Sequence, residues 1–374
     1  MNAEPLMNVS RMKALLKASD LDAVVGMSLE NFRYLAGSSL EIQRHIKERI
    51  GTVVWPRDGE PTVMVRSGEF SRVVEESWIE DVRIYREFEG GPMPALAEIL
   101  RERGLATSRV GIEKYYLLTQ YYEELQALLP KCRFVDCGRL IDEVRMIKTP
   151  KEVEVLRSAF VNTEKAIQIA YEMARPGDTT RTIATWMTHA LLKFGADTVP
   201  FLVLASGTKS AHTHPMPDET RIQYGETLRV DVGGLFNGYF SDLARMAVVG
   251  RPSPKQKETY RKLLDAHYQI RQMLKANTTF GEIFRAGAAL MERLGIPHVS
   301  HHLGHSIGAA LHEQPFIQSH EERELEPNMV LCVEPTYLEE GVARYHIEDL
   351  ILITESDPVV LSSFANTEEL MVIE

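Results

Sequence analysis

Apolar residues recur along this chain with two periods, and the periods predict its elements. Up to about residue 142, short apolar runs bounded by turn-forming residues predict strands at 21–27, 51–55, 62–65, 82–84, 109–112 and 133–136. Apolar residues three to four apart predict helices at 12–19, 94–103 and 119–129. Strands alternating with helices in this order predict an α/β domain with a mixed sheet. The basic stretch 44–49 is interrupted by Glu48 and reads as a solvated helix face. No catalytic constellation appears in this part, and Asn31 and Tyr34 are expected to have packing or surface roles.

A new helix begins at Thr149. Thr149-Pro150-Lys151-Glu152 supplies an N-cap threonine, a proline at the first helical position and a glutamate placed to close a capping box. Val153, Leu156, Phe160, Ala166 and Ala170 then follow one face, and Pro176-Gly177 ends the run. The boundary is therefore expected between residues 147 and 148, giving domains 1–147 and 148–374. The second domain reads as helices at 180–193, 255–275 and 280–294, a strand at 201–205, a strand pair within 227–249, a histidine-rich loop, and a final strand pair, 329–337 with 344–353. Helices on an antiparallel sheet make it α+β.

Both strand pairs carry acids on one face. Asn237-Gly238 is a two-residue hairpin signal, because both positions favour positive φ. With that turn Phe236 faces Tyr239, Asp231 faces Ala244, and Asp242 is the diagonal neighbour of Asp231 on the same face. A hairpin centred on Gly341 likewise sets Glu334 opposite Glu348, both flanked by residues that belong in a sheet interior. One such acid alone is ordinarily solvated or salt-bridged. Four partly buried ones repel each other at a cost of several kcal/mol, about the scale of an unpaired buried charge. Their charge would balance two divalent cations, and oxygen ligands joined by an imidazole suit Mn²⁺, Co²⁺, Fe²⁺ or Zn²⁺. At least one histidine of the stretch from Ser300-His301-His302-Leu303-Gly304-His305 to His312-Glu313 is expected to join them.

Asp231, Asp242 within Gly-Tyr-Phe-Ser-Asp-Leu-Ala-Arg, His305 within Gly-His-Ser-Ile-Gly, Glu334-Pro335 and Ile347-Glu348-Asp349 together resemble the pita-bread metallopeptidases in order and local context. Ser206-Gly207 followed by His214 resembles that family's substrate loop, and Lys148-Thr149-Pro150-Lys151-Glu152 extends the likeness upstream. An N-terminal domain of this size resembles the creatinase, prolidase and aminopeptidase P branch. The resemblance implies a creatinase-like N-terminal α/β domain followed by a pita-bread α+β catalytic domain. It implies two divalent ions, manganese foremost, on Asp231, Asp242, His305, Glu334 and Glu348. It further implies Glu334 as general base, His214 and His312 as residues that hold substrate and stabilise the oxyanion, and cleavage before proline by a metal-bridging hydroxide. A homodimer is expected on the same ground.

Departures from the family pattern bear on the substrate. Lys209 stands where the family usually has Asn, Ala244-Arg245-Met246 where it has Thr-Arg-Thr, and His302 and Ala309 also differ. Proline-specific members often carry Arg where this chain has His346; His346 is expected to border the metal site and, with Arg344 on the same strand face, to bind substrate. These changes leave a creatinase-like hydrolase or lyase acting on a small non-peptide C–N bond as the alternative. A non-catalytic binding module of the same fold is disfavoured by the complete set of five ligands.

Composition narrows the setting. Apolar residues make up 44% of the chain and charged residues 25%, as in ordinary globular proteins. The net charge of -11 opposes nucleic-acid binding, which needs a basic face. No apolar run is long enough to span a bilayer, no signal-peptide pattern is present, and Cys132, Cys137 and Cys332 are too scattered for a disulfide framework. A cytoplasmic enzyme acting on a small peptide or peptide-like substrate, with no membrane partner, is expected.

Overall fold

The computed structural model describes residues 4–363 and 367–374, and the chain forms two compact units, Met1–Arg145 and Met146–Glu374. The first holds a six-stranded mixed sheet of β1 (Ala23–Gly26), β2 (Thr52–Pro56), β3 (Thr62–Arg66), β4 (Asp81–Tyr85), β5 (Arg109–Ile112) and β6 (Arg133–Asp136), in the order β4-β3-β2-β1-β5-β6. The pairs β1–β2 and β2–β3 are antiparallel, and the other three are parallel. All six strands expected from the apolar runs form.

Short helices were harder to foresee. Leu29–Ala36 is started by the Ser28 side chain, which accepts from the Asn31 N–H, and is stopped by Gly37 at φ 73°. The basic stretch is not a continuous helix face: the helix there is Glu41–His45, and residues 47–49 turn away so that Arg49 pairs with Glu87 at 2.9 Å. Asn31 has a packing role. It donates to buried Glu113 at 2.7 Å and accepts from Arg145 at 2.8 Å.

The second unit opens with helix Pro150–Met173, whose Thr149–Glu152 capping box is formed in both directions. Its strands are β7 (Thr198–Ser206), β8 (Thr227–Phe236), β9 (Tyr239–Phe240), β10 (Leu243–Val249), β11 (His302–Ser306), β12 (Glu313–Gln318), β13 (Val330–Val333), β14 (Thr336–Glu339), β15 (Ala343–His346), β16 (Asp349–Leu352), β17 (Val359–Val360) and β18 (Met371–Ile373). One sheet runs β18-β10-β8-β7 with β9 on β8, a second runs β12-β11-β13-β16-β17, and β14 and β15 form a separate ribbon. Helices Pro254–Met273 and Phe280–Arg293 bury Leu263, Ile270, Ile283 and Leu290 in one cluster with Leu303, Leu331, Val333 and Ile351.

Two features set the site. The first hairpin has the expected register, Phe236 opposite Tyr239 and Asp231 opposite Ala244, with Asn237 and Gly238 both at positive φ. The second keeps the expected register about Gly341, with Val333 opposite Asp349 and Thr336 opposite His346, but it is not one continuous ladder. It breaks at Glu334-Pro335 and at Ile347-Glu348, where the Glu334 N–H goes to the Leu303 carbonyl (2.9 Å) and the Glu348 N–H to that of Ala244 (3.3 Å). Pro335 has no N–H for a ladder, which is one reason the pairing changes partners there. The histidine-rich segment, expected to be a loop, contains a central strand, β11, between β12 and β13. Gly304 makes this possible: a Cβ there would lie 2.0 Å from the Cys332 carbonyl oxygen.

Candidate metal centre

The two strand breaks turn the acids toward one another. Asp231 lies in β8, Asp242 between β9 and β10, His305 in β11, Glu334 just after β13 and Glu348 just before β16. The first hairpin can close this tightly because residue 233 is glycine; a Cβ there would lie 1.8 Å from the Ser241 carbonyl oxygen. Asp231, Asp242 and Glu348 offer ligand atoms within 4.8 Å of one another, as do Glu334, His346 and Glu348. His305 Nε2 stands 3.6 Å from Asp242 Oδ2 and 3.4 Å from Glu334 Oε1. Its Nδ1 meets the Ser306 carbonyl at 3.0 Å, which leaves Nε2 aimed at the carboxylates.

These residues fit divalent cations. Asp242, His305 and Glu348 are buried, and His305 Nε2 and Glu348 Oε1 have no hydrogen-bond partner. Burial, then repulsion from Asp231 and Glu334, pushes the Asp242 carboxyl far above the usual carboxylate range. Burial and the charges of Asp242, Glu334 and Asp231 do the same to Glu348. Burial would also raise Glu334, but His346, His305 and His302 outweigh it and hold this carboxyl at about 2. Cations placed among the acids would remove the repulsion and satisfy the orphaned atoms, and the oxygen-rich set with imidazole is that of a borderline-hard ion.

The residues expected to meet substrate surround this cluster. His312 is exposed, with its ring centroid 4.0 Å from that of His305, and it groups with Asp242 and His305. His214 is exposed on the loop after β7. Buried Arg229 holds that loop, donating from Nη2 to the carbonyls of His212 (2.9 Å) and Thr213 (2.8 Å). Arg344 Nη2 donates to the Ala211 carbonyl at 3.4 Å, so part of the expected substrate fork is engaged with the same loop. His346 is buried against the acids, Nε2 3.3 Å from Glu334 Oε2 and Nδ1 3.8 Å from Asp231 Oδ2.

The departures sort by position. Lys209 points outward, to Asp218 at 2.5 Å and Thr220 at 2.6 Å. Ala244 is buried opposite Asp231. Met246 is also buried, and its sulfur accepts the His346 N–H at 3.4 Å. His302 is half-buried, Nδ1 3.4 Å from Glu334 Oε1.

Sequence reasoning missed the buried ion network behind the acids. Arg245 Nη2 reaches Glu164 at 2.5 Å and Asp349 at 2.9 Å, and its Nη1 donates to the Glu348 carbonyl. Strand alternation carries the signal: Asp349 follows Glu348 and must face the other side. A second missed pair, buried Lys148 and Glu313 at 2.7 Å, braces the turn beside His312, where Glu313 also accepts the Ala310 N–H at 3.1 Å.

Cys332 is buried beside His305 and Glu348. Burial, then the charges of Glu348 and Asp242, pushes its thiol far above the usual range, and among oxygen and imidazole donors its expected role is that of a small buried packing group. Cys332→Ser is therefore expected to keep its bound metal and its turnover. Elemental analysis of that variant checks this, and a large loss of metal would contradict it.

No described helix is long and apolar enough to cross a membrane. Residues 154–355 match the model of metallopeptidase family M24, and residues 9–147 that of the creatinase/prolidase N-terminal domain. The chain is 30% identical to the Xaa-Pro dipeptidase of Pyrococcus furiosus over 79% of its own length and 83% of that protein. It is 27% identical to the Xaa-Pro dipeptidase of Lactobacillus helveticus over 97% of its length and 98% of that protein. Among solved structures, the prolidase from Pyrococcus horikoshii OT3 superposes with a TM-score of 0.84 at 27% identity, covering 96% of this chain and 98% of that one. With its acids and imidazoles gathered at one centre and more than half its length matching the family model, this chain belongs to metallopeptidase family M24.

Proposed function

We propose that this protein is a metal-dependent Xaa-Pro peptidase of the prolidase or aminopeptidase P type, hydrolysing the peptide bond before proline. The observation that carries this reading is the convergence of Asp231, Asp242, His305, Glu334 and Glu348 on one buried centre, in a chain similar over nearly its whole length to proteins named Xaa-Pro dipeptidase. These five residues would hold two divalent ions, with manganese the expected metal. Bound there, such ions supply Lewis-acid polarisation of a carbonyl and acidify water.

The chain's own groups do the rest. Glu334, placed among the acids and imidazoles of the centre, takes the proton from the attacking water and returns it to the leaving imino nitrogen of proline. His312 and His214, exposed at the mouth of the centre, orient the scissile carbonyl and donate to the oxyanion that develops on it. Arg229 and Arg344 fix the His214 loop and thereby the reach of its imidazole. A homodimer and a cytoplasmic setting are part of this reading.

The test is substrate profiling of the metal-loaded protein on Xaa-Pro dipeptides, longer Xaa-Pro peptides, Xaa-Ala controls and small amidino compounds. Proline-dependent cleavage is expected. Turnover of the non-peptide compounds with no cleavage before proline would overturn the proposal in favour of a creatinase-like reaction.

A further inference from the structure

Two other histidines of this unit place one or both ring nitrogens on carbonyls. His267 places Nε2 3.2 Å from the Val333 carbonyl, and His298 places its two nitrogens on the carbonyls of Thr336 (3.1 Å) and His302 (2.8 Å). His346 differs. It is 3% exposed, and neither Nδ1 nor Nε2 has a hydrogen-bond partner. Its backbone is pinned by pairing with Thr336 and by the contact with Met246 sulfur. Both nitrogens face carboxylates, Glu334 at 3.3 Å and Asp231 at 3.8 Å, in a group with Glu334 and Glu348 whose ligand atoms all lie within 4.8 Å. Leaving a buried polar atom unsatisfied costs about 1–3 kcal/mol, so Nε2, aimed at Glu334, calls for a partner that it can share with that acid, while Nδ1 keeps its proton toward Asp231.

We propose that His346 is itself a metal ligand, giving the centre a second imidazole beside His305 and binding the ion held by Glu334 and Glu348. This rests on the metallopeptidase reading of the site and extends it. A fork of donors at position 346 would grip a substrate carboxylate, whereas this imidazole is spent on the metal, leaving substrate contacts to His214, His312 and Arg344. Imidazole is a better donor to Co²⁺ and Zn²⁺ than to Mn²⁺, so the second nitrogen shifts the centre's selectivity toward those ions.

Co²⁺ titration of the full chain tests this without recourse to activity. Wild type is expected to bind two Co²⁺, and proton NMR of the loaded protein should show two hyperfine-shifted imidazole N–H signals. His346→Ala should lower Co²⁺ affinity at least about tenfold, the smaller end of what even supporting residues contribute. It should change the visible d–d bands and retain one shifted signal, while Mn²⁺ affinity falls less. Added free imidazole should restore the wild-type bands, and His346→Gln, which better preserves side-chain bulk, should also show a single N–H signal. If wild type binds two Co²⁺ but shows one shifted N–H, or if the spectrum and affinity survive both substitutions, His346 is no ligand and the peptidase reading stands. If wild type binds no Co²⁺, the metal centre itself is misassigned.

Discussion

Glu334→Gln is expected to lower the turnover of an Xaa-Pro dipeptide by at least about a thousandfold at saturating metal, within the span attributed to general acid–base groups. The amide keeps the shape of the side chain and can still accept hydrogen bonds, but it neither binds a cation as a carboxylate does nor carries a proton from water to the leaving nitrogen. The fold should stand. Glu334 lies just past β13 with its backbone N–H on Leu303, and its charge is one of those that push Asp242 and Glu348 upward. In the metal-free protein its loss relieves that repulsion but also removes the attraction to His346, His305 and His302, so the melting temperature of the metal-free variant reads the balance of the two. Kinetics paired with a thermal melt separate the two effects. Wild-type turnover with metal retained would mean that another group is the base.

The second large effect lies in stability. Arg245→Met is expected to cost about 3–5 kcal/mol, the usual consequence of removing one partner of a buried charge network. Arg245 is buried, and its guanidinium joins Glu164, Asp349 and the carbonyls of Ala244 and Glu348. Methionine would fill the space but leave Asp349 relying on Arg271 at 3.0 Å, with the Glu348 carbonyl released beside the metal centre. Arg245→Lys, which restores a charge but not the planar fork, should recover only part of the loss. Urea unfolding of the three proteins measures this, and a difference below about 1 kcal/mol, the scale of an exposed ion pair, would show the network to be dispensable.

The same network gives a pH dependence. Burial would raise Asp349, but Arg245, His267, Ser362 and Arg271 outweigh it and hold its carboxyl below the ordinary value. A carboxyl whose folded pKa is depressed contributes its full stabilisation above the unfolded value, about 3.9, and loses it as pH falls through the folded one. The gap between wild type and Asp349→Asn should accordingly narrow below about pH 4.

What could be read from the chain followed the strength of local signals. Asn237-Gly238 fixed the register of the first hairpin, and with it the shared face of Asp231 and Asp242, because both turn residues require positive φ. Counting about Gly341 placed Glu334 opposite Glu348. The break in that second ladder was not legible, because the partners that replace it, Leu303 and Ala244, come from strands distant in sequence. His302–Ser306 was expected as a loop because glycine and histidine weaken a strand pattern. It forms one because Gly304 admits the β13 backbone. The Arg245–Asp349 network and the orphaned His346 nitrogens depend on side-chain contacts that a linear pattern does not encode.

Hydrolysis before proline is expected to depend on ions held by Asp231, Asp242, His305, Glu334 and Glu348. The most direct measurement strips the purified protein with chelator, then titrates Mn²⁺ or Co²⁺ while following proline release from an Xaa-Pro dipeptide, with bound metal counted at each point. No release is expected from the stripped protein, with recovery that rises with bound metal and levels off at about two ions per chain. Proline release that is undiminished by chelation in a metal-free chain would contradict it.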